Sequence, residues 1–312
     1  MAAVPLLVAA VTLNFVLVHL APGDPMAYLV GDHGLLTAEQ LATVRHNLGL
    51  DRPLWGQYLA YLGSLARADL GWSVVNQRPV IELILERIPA TLLLMASSQL
   101  LALLLGLIAG FSAAYKAGRP IDFGLGVLSV LTYSMPPFWL ALVFILVFSL
   151  RLEWFPTMGM TSLGADNAGW AYVADVGRHL FLPAMALGTS YAALYMKVFR
   201  TSLLNVFGQP FVTTARAKGL SWSGIYLKHA ARNAALPVVT FVGIQGGLLL
   251  TGGIVTEIVF AWPGIGLLTM NAVLQRDYPL ILGIFVIISL CVVVTNAVAD
   301  VVYSVVDPRI AL

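Results

Sequence analysis

Six stretches of the chain run almost free of charge: roughly Ala3–Leu20, Ile88–Tyr115, Phe123–Leu150, His179–Phe199, Ala234–Ile258 and Leu280–Val306. The exceptions, Lys197, Glu257 and Asp300, fall near their ends. A helix on the surface of a soluble core keeps a polar face at the 3.6-residue period, and these runs have none. About 20 apolar residues cross a bilayer as a helix. The pattern therefore predicts an all-α polytopic membrane protein with six transmembrane helices. A secretory signal is the other reading of the first run. It has no basic flank, and "HLAPGDP" is a poor small-x-small cleavage site, although a few basic residues upstream of Met1 would supply the flank.

The segments between the runs carry their own signals. Residues 21–87 are too long for a plain connector and are expected to fold over the outer mouth as an extracytoplasmic subdomain. In "LTAEQLATVRHNLGL", Thr37 is a candidate N-cap with Gln40 three residues on, and Gly49 a candidate C-cap. In the next stretch Leu54, Tyr58, Tyr61, Leu62 and Leu65 share one helical face. The two short helices are either part of this subdomain or lie in the membrane interface. Trp154 and Trp170 in loop 151–178 suit a membrane–water boundary. "TYSMPPFW" puts Pro136 and Pro137 inside the third run, where two missing donors should kink or break the helix. "GIQGGLLLTGG" makes the fifth run glycine-rich. Both features fit close helix packing, and both fit broken helices beside a translocation path.

Composition agrees with a bilayer as solvent. Of 312 residues, 59% are apolar and 10% charged, with a mean hydropathy of +0.88; soluble domains carry about 25% charged residues. The net charge of +2 matters less than its placement. With the N-terminus inside, the cytoplasmic segments hold Lys116, Arg119, Lys197, Arg200, Arg216, Lys218, Lys228, Arg232 and Arg309, and the short outer loops only Arg151, Arg178 and Arg276. By the positive-inside rule both termini are cytoplasmic. Cys291 is the only cysteine, so no intrachain disulfide forms.

The cationic, acid-free loop over 201–233 is the most informative segment. "FVTTARAK" reads as a short helix stopped by Gly219, with cations in its last turn. Ser221 or Ser223 can cap a second helix on which Tyr226, Ala230 and Ala234 share one face and Lys228 and Arg232 another. Pro237 falls in the first turns of the next run, where its missing donor costs little. The result is a helix–glycine–helix elbow with a basic rim. It is either a docking knob or a solvated loop that only sets topology.

"TARAKGLS…KHAARNAALP" resembles the cytoplasmic signature loop of bacterial ABC importer permeases of the peptide/nickel family. That family's Glu-Ala-Ala triplet is Thr213, Thr214, Ala215 here, without the glutamate. "LAPGDP" (20–25), "LGLDRPLWGQYLAYLGSLARADLGWSV" (48–74), "RPVIELILERIPATLLL" (78–94), "FAWPGIG" (260–266), "RDYPL" (276–280) and "DPR" (307–309) follow in the family's order. The resemblance is nearest to the dipeptide or oligopeptide type and covers nearly the whole chain. It implies the type I ABC importer permease fold, with residues 1–312 as a single transmembrane permease domain. It implies a second permease subunit, two ATP-binding cassette subunits beneath the membrane and an extracytoplasmic substrate-binding protein. Residues Thr213, Thr214, Ala215, Arg216, Ala217, Lys218, Gly219 and Leu220 would then dock into one ATPase. Gly219 would matter because a bulkier side chain would clash or misplace the elbow.

Polar groups within the runs are Asn14, Gln99, Tyr133, Ser134, Thr189, Tyr191, Gln245, Asn296 and Asp300. Intramembrane polar groups face protein or water rather than lipid. Gln99, Tyr133, Ser134 and Gln245 are candidates for a peptide path, with inter-helix hydrogen bonding the alternative. Asp300 suits a cap or an ion pair at the cytoplasmic end. Glu257 suits an outer helix end, either solvated or near the delivering protein. There is no G-x-x-x-x-G-K-[ST] loop, so ATP and its magnesium belong to partner subunits and the chain carries no cofactor of its own. No zinc-type spacing is present, and the five histidines are scattered singly. Lipid is an expected partner and nucleic acid is not. A proton-driven carrier relying on Asp300 or Glu257, and an intramembrane enzyme, are the readings from other classes. Within the importer class nickel, glutathione or oligosaccharide cargo stays open.

Overall fold

A computed structural model describes residues 3–20, 43, 46, 51–73, 75–164, 168–221, 224–246 and 253–306. Contacts divide the chain into two units, 1–91 with 263–294, and 92–262 with 295–312.

In the first unit, helix α1 (Ala3–Leu20) is the first apolar run. Helix α2 (Leu54–Leu65) follows the expected amphipathic stretch. Its stripe lies on α1: the Tyr61 ring stacks on Phe15 at 5.8 Å between centroids, Tyr58 meets the same ring tilted at 5.2 Å, and the Tyr58 and Thr12 hydroxyls are 2.6 Å apart. Leu54, assigned to that stripe, is exposed instead, as are Trp55 and Leu59. The other expected helix of this loop, with Thr37, Gln40 and Gly49, lies outside the described residues, apart from helical Thr43 and His46. A small antiparallel hairpin, β1 (Trp72–Ser73) and β2 (Arg78–Pro79), pairs Trp72 with Pro79 and Ser73 with Arg78, an addition to the all-α expectation. It leads directly into α3 (Val80–Tyr115), which continues into the second unit.

Helix α3 has 36 residues. At 1.5 Å per residue it is about 54 Å long, well beyond the ~30 Å hydrocarbon core. It begins eight residues before the run at Ile88. In the second unit it packs on α6 (Gly169–Phe207) through small residues. A Cβ on Gly110 would stand 2.8 Å from the Met196 carbonyl oxygen, and one on Gly188 2.6 Å from Leu101 Cδ2. Gly106, one turn before Gly110, meets Tyr195 in the same way. This is a small-xxx-small contact, and it lets the two backbones approach.

Between them in sequence lie α4 (Pro120–Ser134) and α5 (Pro137–Phe144), the latter continuing as a π-helical stretch over Ile145–Arg151. The expected kink is a bend of 101°. Each residue preceding a proline is driven out of the helical region. Met135 and Pro136 both precede one, and their ψ values are 130° and 137°. After α6 come α7 (Pro210–Ala217), a π-helical turn over Ile225–Ala230, then α8 (Ala231–Ala234), α9 (Leu236–Gly246) and α10 (Ile254–Val259). Residues 247–252 of the glycine-rich run lie outside the described residues. In the first unit α11 (Ile265–Leu274) begins where the Ile265 N–H donates to the Thr91 hydroxyl at 2.8 Å, and α12 (Tyr278–Val306), which continues into the second unit, is the last apolar run.

Among the described residues, Val80–Tyr115 and Tyr278–Thr295 are long and apolar enough to cross a membrane, and the bent pair Pro120–Ser134 with Pro137–Arg151 makes a third if it is one span. The chain is thus mostly helical. The described helices establish fewer spans than the six read from the apolar runs.

Candidate functional site

The elbow is built from both sides of Gly219. Pro210 opens α7 at a position where its missing N–H is not needed. Val212 and Ala215 fall on one face and are buried against Ile225, with Val206 and Phe207 beside them. The opposite face presents Thr213, Thr214, Arg216, Ala217 and Lys218, and beyond it Phe211 and Leu220 are also exposed. Of the eight residues read as a docking set, Ala215 is therefore a packing residue and the other seven face outward.

Gly219 closes the helix in a Schellman arrangement. Its N–H donates to the Arg216 carbonyl at 2.9 Å, and the Leu220 N–H to the Ala215 carbonyl at 3.3 Å. Its φ is +74°, open to glycine at no steric cost. A Cβ there would meet nothing within 4 Å, so the expected clash does not arise within this chain. The requirement for glycine is conformational.

The second arm is capped by Ser221, whose Oγ accepts from the Gly224 N–H at 3.3 Å. Ser223, the other candidate cap, lies outside the described residues. Tyr226, Ala230 and Ala234 are all buried, as their shared face requires. Arg232 is exposed, and the Lys228 side chain lies outside the described residues. The Tyr226 ring is held by Phe207 at 4.1 Å, Tyr115 at 4.9 Å and Phe111 at 5.5 Å between centroids. Its hydroxyl donates to the Ala114 carbonyl at 3.0 Å. Burial pushes this phenol up to about 12, which keeps the donor protonated. The elbow is thus fastened to the ends of α3 and α6. The sequence places Tyr226 on one face with Ala230 and Ala234 and names no partner for it; the aromatics Phe111, Tyr115 and Phe207 are the signal for one.

The path candidates are dispersed. Gln99 donates to the hydroxyl of buried Tyr195, an interhelical tie and the alternative role weighed for it. Tyr133 and Ser134 end α4, exposed, just before the bend. The side chains of Gln245, Asn296 and Asp300 lie outside the described residues. Glu257 is 1% exposed and so is not a solvated helix end. Thr189 donates to the Met185 carbonyl of its own helix.

Three polar centres escaped the sequence reading. Asp122 and Arg200 form a bidentate ion pair at 2.6 and 2.7 Å. In the first unit Asp277 is buried and receives the Ser73 hydroxyl, the Asn76 side-chain amide at 3.4 Å and the Leu280 N–H at 3.3 Å. Asp175 receives the N–H and hydroxyl of Ser162, both at 2.7 Å, and these hold its carboxyl below the usual range. Among the described residues no group of three or more His, Cys, Asp or Glu could hold a metal ion.

Comparison with known proteins covers nearly the whole chain. Residues 102–312 match the family described as binding-protein-dependent transport system inner membrane component, and residues 1–95 match the N-terminal component of the same kind of system. The oligopeptide transport system permease protein of Bacillus subtilis is 39% identical, covering 98% of this chain and 96% of the relative. The di/tripeptide transport system permease protein of Pseudomonas aeruginosa is 38% identical over 98% and 95%. The glutathione transport system permease protein of Escherichia coli O6:H1 is 38% identical over the same shares.

Proposed function

Because this chain belongs to the family of binding-protein-dependent transport system inner membrane components, we propose that it is a permease subunit of an ATP-dependent importer carrying di- and oligopeptides inward. The observation that carries the reading is full-length similarity to peptide permeases, joined to an elbow whose outward face is free of acid and rimmed by Arg216 and Lys218.

The apolar runs support six spans with both termini in the cytoplasm. A second permease subunit completes the pore, and two ATPase subunits hydrolyse ATP below it. An extracytoplasmic binding protein delivers the peptide. Thr213, Thr214, Arg216, Ala217, Lys218, Gly219 and Leu220 contact one ATPase, and Ala215 holds α7 in place behind them. Closure of the ATPases pushes the elbow and rocks the helices between outward-open and inward-open states. ATP and the loaded binding protein drive this cycle only as far as each favours one state over the other. Tyr133, Ser134 and Gln245 remain candidates for the path, and Gln99 acts through Tyr195.

Glutathione, itself a tripeptide-like solute, is the second cargo reading, favoured by the glutathione permease relative at 38% identity. The test is uptake of labelled dipeptide and labelled glutathione into vesicles holding this chain and its partners. ATP-dependent accumulation is expected, with cargo set by the binding protein supplied. Accumulation that continues without ATP would exclude the importer.

A further inference from the structure

The contact between α4 and α6 differs along its length. With α3, the two helices line an open apolar pocket of about 310 Å³, with Leu105, Leu125, Leu128 and Met196 among its walls. The hydroxyls in that lining, Ser112, Ser129, Thr132 and Thr189, each donate to a carbonyl three or four residues back on the same helix. A hydroxyl has one hydrogen to give, so these donors are used within their own helices and do not tie α4 to its neighbours.

At the foot of α4 the contact is of another kind. Arg200 Nε donates to Asp122 Oδ1 at 2.6 Å and Nη2 to Oδ2 at 2.7 Å. The Gly118 N–H adds a third bond to Oδ2 at 3.0 Å. The Asp122 side chain is 11% exposed and that of Arg200 32%. A two-bond fork fixes angle as well as distance, which a lysine ammonium does not. At its other end α4 stops at the 101° bend. Fifteen residues make it a rod of about 22 Å, pinned at its first turn and jointed at its last.

Arg200 stands seven residues before the end of α6, and only Gly208 and Gln209 separate α6 from α7. An axial or tilting displacement of the elbow therefore reaches Arg200 along one continuous helix. The geometry points to the Arg200–Asp122 fork as the pin by which α6 carries α4, so that movement entering at α7 is delivered to the end of α4 that bears Tyr133 and Ser134. This inference rests on the importer reading above. Arg200 and Asp122 are positioning residues: they hand on a movement and touch neither cargo nor nucleotide.

The test uses the assembled complex in proteoliposomes, with this chain, its partner permease, both ATPases and the binding protein. Asp122→Asn and Arg200→Lys should keep ATP hydrolysis within about twofold of wild type while peptide uptake per ATP falls about tenfold, and the exchanged pair Asp122→Arg with Arg200→Asp should regain most of what Asp122→Arg and Arg200→Asp each lose alone, the non-additivity expected of residues in direct contact. A merely stabilising pair would instead lower assembly, hydrolysis and uptake together. Should Asp122→Asn fail to assemble, Arg200→Lys carries the test, because it keeps the charge and loses only the fork. As a second readout, a spin label at Val130 on α4 should change mobility with ATP and vanadate in the wild type and not in Arg200→Lys. Wild-type coupling ratios in both Asp122→Asn and Arg200→Lys, or an exchanged pair no better than Asp122→Arg or Arg200→Asp alone, overturn the pin while leaving the importer reading intact. ATP-independent uptake by the wild type overturns both.

Discussion

The Tyr226 hydroxyl reaches across 112 positions of sequence to the main-chain carbonyl of Ala114 at 3.0 Å, inside a ring of Phe207, Tyr115 and Phe111. One side chain thus fastens the second arm of the elbow to the last turn of α3. The wider π-helical turn at Ile225–Ala230 lets Tyr226, Ala230, Ala234 and Val238 all stay buried, although a uniform α-helix would drift away from a strict four-residue spacing.

Tyr226→Phe keeps the ring contacts and removes the donor. The expected loss is about 1 kcal/mol, the usual net worth of such a bond. Tyr226→Ala also removes the ring and should cost about 3–5 kcal/mol. Thermal unfolding of the purified subunit in detergent checks both. Equal stability of the Phe and Ala variants would show that the ring is not packed as described.

Gly219→Ala and Gly219→Trp should lower stability by similar amounts, about 1–2 kcal/mol, because the penalty comes from a positive φ and a Cβ finds open space within the chain. They should part in transport. If the elbow sits in a cleft of an ATPase, alanine leaves coupling largely intact and tryptophan uncouples hydrolysis from uptake. Uptake per ATP measured for both variants decides it; normal uptake by Gly219→Trp would refute the role assigned to the elbow.

Asp277, just ahead of α12, gives a pH dependence of definite sign. Burial pushes its carboxyl above the ordinary 3.8, and the bonds from Ser73, Leu280 and Asn76 pull it only part of the way back. Between the unfolded and folded values the native state binds more protons than the unfolded chain. Stability therefore falls as pH rises through that window and levels off above the folded value. Asp277→Asn, which cannot ionise, should remove this slope. Unfolding midpoints between about pH 4 and pH 7 give the comparison, and a midpoint that climbs with pH because of Asp277 would contradict its burial.

Much of this protein could be read without coordinates. The apolar runs and absence of polar faces announced a helical membrane chain, since lipid solvates no unpaired backbone group and only a few closed structures satisfy themselves there. The glycine stop after "FVTTARAK", the Ser221 cap and the paired prolines at 136 and 137 are local events, decided by φ preferences and nearby donors, and each was found where its residues stand. The motif order pointed to the family to which the chain belongs.

Tertiary structure alone decided what touches what. Asp122 and Arg200 are 78 positions apart and Asp277 and Ser73 are 204 apart, and no periodicity pairs them. Gln99 is a path candidate by sequence, with an interhelical tie as the alternative, and only Tyr195 beside it selects the tie. Gly219 was expected to avoid a clash, and its surroundings within the chain are open. Short-range backbone preferences are written into neighbouring residues. Contacts between distant ones appear only when packing has chosen which faces meet, because each face offers several partners of nearly equal chemistry.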